Sequence, residues 1–188
     1  MHNSVKLNTV TENKTDAPRI RLVFWIKSWY DKEKTEGRAD MLLAIDIGNS
    51  NISVGLFGEK RDLKFLASID TDSRKTADQI SIDLMNIFAL YGYDIRRVTG
   101  AIFSSVVPGI NFMMHKALTR LLGKEPMVVG PGIKTGLNIR MEVHNQLGTD
   151  LVANAVAAVE KYPAPIIMIE MGTATTISYI SRQRTYEG

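Results

Sequence analysis

The sequence predicts an α/β fold, a three-stranded antiparallel meander followed by alternating helices and strands, with the start of a second unit behind it. Three observations carry this expectation. Two apolar runs, in MLLAIDIGNSN (Met41 to Asn51) and PIIMIEMGTATT (Pro165 to Thr176), each end on a carboxylate and turn through a glycine into small polar residues. Between them the apolar spacing passes from strand-like runs to helical periodicity and back. The composition, 188 residues that are 45% hydrophobic and 23% charged, suits one ordinary core and a little more.

The first 40 residues are polar as far as Pro18 and then carry RIRLVFWIKSWYDKEKTEGRAD, whose crowded aromatics keep neither period. Residues 1–40 are therefore expected to be an appendage, either a disordered leader or the product of a start codon upstream of Met41. An amphipathic docking element around Leu22 to Tyr30 is the functional alternative. The first domain is expected over 41–164. It opens with strands near 41–47, 52–58 and 63–69, joined by turns at GNSN and GEKRD. Thr76, Ala77 and Asp78 lead into an amphipathic helix through Ile80, Leu84, Ile87, Phe88 and Tyr91 that stops at Gly92. A strand follows from Val98 to Phe103. Pro108 opens a second helix through Phe112, Ala117, Leu118, Leu121 and Leu122, ended by Gly123, and Met127 to Val129 return to a strand. A connecting helix runs from about Thr149 to Tyr162. Residues 165–188 then begin a second domain, with a strand from Ile166 and a hairpin partner at Ile177 to Ile180.

Composition narrows the function classes. No apolar run approaches the length of a membrane helix, and LVFWI (Leu22 to Ile26) lacks the features of a signal peptide, so no membrane partner is expected. The absence of cysteine excludes disulfides, thiolate metal sites and cysteine nucleophiles, and fits a cytoplasmic protein. The pI of 9.1 comes from a net charge of only +3, spread without a basic stripe, which argues against nucleic acid as a partner. GPGIKTG (Gly130 to Gly136) fails as a Walker loop because Ile133 stands where a glycine is needed before Lys134. His115 and His144 have no partner at metal-ligand spacing, and Arg96 and Arg97 read as a solvated turn. Met113, Met114, Met127 and Met168 read as core filler.

The two carboxylate turns carry the chemistry. In each, the acid, Asp46 or Glu170, lies at the end of a buried strand, and Gly48 or Gly172 lets the backbone bend close to a ligand. Asn49, Ser50 and Asn51, or Thr173, Thr175 and Thr176, then offer amides and hydroxyls to phosphate oxygens. Together the turns describe a cleft for nucleotide phosphates and a bound cation.

The order βββαβα, with a phosphate turn between the first two strands and a similar turn opening a second domain, is that of actin-like (ribonuclease H-like) phosphotransferases. The ordered segments LAIDIGNSNISVGLF, TDSRKTADQ, SSVVPGI, KTGLNIR, LGTDLVANAVAA and IEMGTATT resemble the type III pantothenate kinases from Met41 to Gly188. That resemblance implies phosphoryl transfer from ATP to the primary hydroxyl of pantothenate, the first step of coenzyme A synthesis. It also implies Mg-ATP, a monovalent cation (potassium or ammonium) and a homodimer. On matching positions, Asp46 corresponds to the acid that holds magnesium through water. Ile47, Gly48, Asn49, Ser50, Asn51, Ile52 and Ser53 wrap the ATP phosphates with Asp46, and Thr173 adds a further contact. Asp150 corresponds to the catalytic base, and Met141, Gly148, Thr149, Asp150 and Leu151 to the acceptor pocket. Considered alone, Asp150 is an ordinary helix-start acid with Thr149 as N-cap.

Three positions depart from the family pattern. GADR reads GTDL, so Leu151 stands where an arginine is suited to pair with the acceptor's carboxylate. DFGTATT reads EMGTATT, so Glu170 replaces the aspartate associated with the monovalent cation. Met141 replaces a tyrosine of the acceptor pocket, and family members continue well beyond the position of Gly188. These departures keep a second class of function in view, a non-catalytic ATP-binding or regulatory relative, or an inactive fragment.

Overall fold

The structure is a computed structural model, and it describes residues 8–10, 41–59, 62–130, 136–140, 148–171 and 175–187. The strands are β1 (Asn8–Val10), β2 (Met41–Ile47), β3 (Asn51–Phe57), β4 (Leu63–Asp70), β5 (Val98–Ser105), β6 (Met127–Val128), β7 (Asn138–Ile139), β8 (Ile166–Met171), β9 (Thr175–Ile180) and β10 (Thr185–Tyr186). The helices are α1 (Ala77–Leu90), α2 (Pro108–Leu122) and α3 (Thr149–Lys161).

The described residues form two compact units that divide after Gly130. The first contains a five-stranded sheet in the order β4-β3-β2-β5-β6. The expected meander is present, with β2 antiparallel to β3 and β3 antiparallel to β4, while β5 joins β2 in parallel. Flanked on both sides, β2 is buried at Met41, Leu42, Leu43, Ala44, Ile45 and Ile47. Its sequence is accordingly a continuous apolar run, as a strand covered on both faces requires.

One face of this sheet and the two helices make the core. Leu43, Ile45, Ile47, Ile52, Val54 and Leu56 join Ile80, Leu84 and Phe88 of α1 and Ile110, Met114 and Leu118 of α2 in one buried cluster. Leu84 is wholly buried. Helix α1 begins with a capping box in which the Thr76 hydroxyl accepts from Gln79 N–H while the Gln79 side chain accepts from Thr76 N–H. Helix α2 begins with Pro108, whose missing N–H costs nothing at that position, and ends at Gly123 with φ of 66°. Phe65 of β4 meets Phe88 edge-on at 5.3 Å and stacks with Tyr91 at 4.7 Å, tying the outer strand to the end of α1.

The second unit contains the sheet order β1-β8-β9-β10-β7. The expected hairpin of β8 and β9 lies within this larger sheet. Short pairings extend β8 and β9 on both sides, β1 running parallel to β8, and β10 antiparallel to β9 and parallel to β7. Two- and three-residue strands leave no alternation to read, so only backbone pairing reveals them. Residues 8–10 of the expected appendage thus belong to a sheet, while Leu22 to Tyr30 lie outside the described residues. Helix α3, expected to complete the first domain, groups with this second sheet. Its Ala153, Ala155, Val156, Ala157, Ala158 and Val159 are all buried. The Arg184 guanidinium donates to the Val159 carbonyl at 3.0 Å, fastening the β9–β10 turn to the helix. Ile166, Met168, Ile180 and Tyr186 are buried, and the Ser178 and Tyr186 hydroxyls pair at 2.8 Å. Ile169, Ile177 and Tyr179 remain exposed.

Met114 and Met168 are buried as expected, and Arg96 sits in a short 3-10 turn before β5. His115 meets the Glu125 carboxylate at 2.8 Å across the end of α2.

Two outcomes test this packing. Leu84→Ala leaves a cavity under the sheet and should lower unfolding stability by about 2–5 kcal/mol in urea titration. Asp94 is held below its ordinary value of 3.8 by hydrogen bonds from the Arg96 side chain and backbone N–H. Its charge therefore stabilises the fold above that value and ceases to as pH falls through the depressed one. Asp94→Asn should be slightly less stable than the parent at neutral pH, and the difference should vanish at pH values well below 3.8.

Candidate active site

The intact carboxylate turn is built by the end of β2. Asp46 is opposite Ser53 on β3 and opposite Ser104 on β5, so the acid is the central residue of a three-strand row. Buried Ser104 donates its hydroxyl to Asp46 Oδ1 at 2.6 Å, orienting a half-buried carboxylate. Beyond it the chain folds back through Gly48, whose N–H donates to the Asn51 carbonyl at 2.9 Å. A Cβ on Gly48 would lie 3.2 Å from that same oxygen, so the turn closes tightly because the residue has no side chain.

The strand that ends the meander locks this turn from outside. The Thr71 hydroxyl donates to the Gly48 carbonyl at 2.7 Å, and Thr71 N–H donates to the Ser50 carbonyl at 3.0 Å. With its carbonyls engaged in this way, the turn leaves the Asn49, Ser50 and Asn51 side chains exposed. Ile47 and Ile52 face the core, which limits them to backbone contacts with any ligand, and Ser53 is buried. Next to Thr71, Asp72 accepts from the Arg74 N–H at 2.9 Å and from its guanidinium at 3.0 Å. Those bonds hold the Asp72 carboxyl below its usual range. Sequence reasoning passed over Ser104 and Thr71 as site residues. Their signal was present in the segments SSVVPGI and TDSRKTADQ, but only strand register shows that each reaches the turn.

The oxygen-rich donor set suits a hard cation. Magnesium commonly keeps several waters and takes one or two carboxylates with substrate phosphates. Among the described residues no group of three or more His, Cys, Asp or Glu side chains could hold a metal ion, and a site of that kind does not need one.

The other predicted site residues lie in the second unit. Asp150 occupies the first turn of α3, where the helix dipole favours a carboxylate. The N-cap is Gly148, not Thr149, and it makes no side-chain cap bond. Thr149 is the first helical residue, with a buried hydroxyl oxygen that has no hydrogen-bond partner among the described residues. Leu151 is half-buried. Glu170 is placed by its backbone on β8, opposite Thr176 of β9. Met141 and Thr173 lie outside the described residues. A cavity of about 370 Å³ opens beside β7 and β10, lined by Asn138, Arg140, Gln183, Thr185 and Glu187 among others, and none of the predicted site residues that are described is among its lining.

Comparison with known proteins places these observations. The sequence model of the type III pantothenate kinases matches residues 42–188. A type III pantothenate kinase of Brevibacillus brevis is 41% identical over 148 residues, covering 79% of this chain and 58% of its own length. One from Listeria welshimeri is 40% identical over 148 residues, covering 79% and 57%. The chain thus spans somewhat over half the length of these curated relatives. Among solved structures, a ROK hexokinase from Thermus thermophilus is similar over 47% of this chain and 34% of its own, with a TM-score of 0.37 and 13% identity. Among the described residues no helix is long and apolar enough to cross a membrane. The match from residue 42 to residue 188 includes both carboxylate turns and the Asp150 helix, and by it this chain belongs to the type III pantothenate kinase family.

Proposed function

We propose that this protein transfers the γ-phosphoryl group of ATP to the primary hydroxyl of pantothenate. The observation that carries this reading is the Asp46 turn, with its carboxylate oriented by Ser104 and its loop braced by Thr71. Phosphoryl transfer asks a protein mainly for positioning and for stabilisation of charge. In this reading Asp46 holds magnesium through water, and residues 48–53 engage the phosphates through backbone amides and the Asn49, Ser50 and Asn51 side chains. Thr173 is a further phosphate contact. Magnesium held there would neutralise negative charge on the phosphate oxygens.

Asp150 orients the pantothenate hydroxyl and accepts its proton while the new oxygen–phosphorus bond forms and ADP leaves. Its position in the first turn of a thirteen-residue helix supports the ionised form. Glu170 is assigned to the monovalent cation, potassium or ammonium, and Met141, Gly148, Thr149 and Leu151 to the acceptor's surroundings. The functional unit is a homodimer acting in the cytoplasm, with no nucleic-acid or membrane partner.

The decisive assay measures ADP release with pantothenate, ATP and potassium or ammonium. Turnover should require all three, and Asp150→Asn should abolish it without weakening ATP binding. Tight ATP binding with no pantothenate-dependent turnover would instead identify a regulatory relative. Leu151 offers a separate check, because a partner missing from a buried charge pair costs about 2–5 kcal/mol, or roughly thirty-fold to several-thousand-fold in affinity. Leu151→Arg should lower KM for pantothenate by a factor within that range and leave KM for ATP unchanged. Ser104→Ala removes a hydrogen bond to a charged group and should weaken Mg-ATP binding by about 1–3 kcal/mol, measured by calorimetry.

A further inference from the structure

A trans peptide unit points its carbonyl and its N–H in opposite directions, so whatever holds the one aims the other. In the turn at residues 48–51 a single residue holds two carbonyls. The Thr71 hydroxyl takes the Gly48 carbonyl at 2.7 Å, and the Thr71 N–H takes the Ser50 carbonyl at 3.0 Å. The Gly48–Asn49 and Ser50–Asn51 peptide planes are thereby fixed with their oxygens toward Thr71, and the N–H groups of Asn49 and Asn51 are turned away from it. Among the described residues the Asn49 N–H donates to no backbone carbonyl.

Thr71 is itself anchored. It follows directly on β4, whose Asp70 is paired with Asn51. Beyond it, the Asp72 carbonyl accepts from the Lys75 N–H at 3.2 Å, and the Lys75 ammonium meets Asp83 of α1 at 2.9 Å. Thr76 then caps α1. Ser73 lies against the start of α2, since a Cβ on Gly109 would be 3.7 Å from that of Ser73. The stretch 71–76 is therefore held at both ends and against both helices, which gives Thr71 a fixed place from which to hold the turn.

We propose that Thr71 is a positioning residue for nucleotide binding: by taking up the Gly48 and Ser50 carbonyls it presents the Asn49 and Asn51 N–H groups, and not carbonyl oxygens, to a nucleotide's phosphates. The inference rests on the reading of residues 48–53 as the turn that engages phosphate. An anion is attracted by an N–H and repelled by a carbonyl oxygen, so a peptide unit free to rotate loses its preference for phosphate. Donors set in advance also avoid the entropy loss of ordering them at the moment of binding.

Thr71→Val keeps the shape of the side chain and the N–H bond to Ser50 but removes the hydroxyl, so it releases the Gly48–Asn49 peptide alone. In the full chain, titrated with Mg-ATP by calorimetry, this variant should bind about three- to ten-fold more weakly than the parent. In backbone amide NMR at saturating Mg-ATP, the ligand-induced shift of the Asn49 amide should be largely lost while that of Asn51 is retained. Thr71→Ala should reproduce the loss, and Thr71→Ser should restore both affinity and shift. Unchanged amides at residues 43–45 and 80–84 in the ligand-free variants show that the fold is intact. A parent that binds no Mg-ATP overturns the phosphate reading of the turn and this inference with it. A parent that binds, with Thr71→Val and Thr71→Ala binding as tightly and shifting Asn49 as far, overturns this inference alone. Equal loss of the Asn49 and Asn51 shifts also overturns it, because that is a general loosening of the turn.

Discussion

The structure depends on the pairing of β2 with a strand on each side. Antiparallel β3 and parallel β5 satisfy the backbone groups of a run that is apolar almost throughout, and that run can be buried only because of it. The same pairing sets the register of its last residues. Asp46 is held level with Ser53 and Ser104, and the turn beyond it begins at a defined height above the sheet. A slip of one residue would send Asp46 to the helix-covered face and Ile45 or Ile47 to the opposite one. The core and the candidate phosphate turn are therefore two results of one register.

The second carboxylate strand shows how much of this comes from neighbours. Its own sequence is similar, and its hairpin with β9 forms, with Met171 paired to Thr175 where Ile47 is paired to Ile52 in the first sheet. Its parallel edge is covered by a strand from the amino-terminal segment and not by one that follows a helix. One face carries Ile166, Met168 and Ile180 into burial beneath α3, while the other leaves Ile169, Ile177 and Tyr179 exposed.

Legibility in the sequence follows the same division. The first unit could be read almost element by element, because β2, β3, α1, β5 and α2 each have enough length to display a period and a start or stop signal. Thr76 with Gln79, Pro108 and Gly123 act at the positions their local chemistry suggests. The second unit could not be read in that way. β7 and β10 have two residues each and β1 three, below the length at which alternation carries information. Residues 1–40 showed no period and suggested an appendage, yet Asn8–Val10 pairs with β8.

For the site, residue types and spacing in the sequence determined that Asp46 closes a buried strand, that Gly48 follows where a side chain would obstruct the turn, and that Asp150 starts a helix. Those are local facts, fixed by apolar runs, by steric freedom at glycine and by helix-start chemistry. Tertiary structure alone decided that Ser104, 58 residues away, orients Asp46, and that Thr71 braces Gly48 across 23 residues. It also decided that the parallel edge of β8 is covered from the amino-terminal segment. The physical reason is common to all three. Each depends on which strand lies beside which and in what register, and that is settled by burying the sheet and pairing its edges, not by the residues next to one another in sequence.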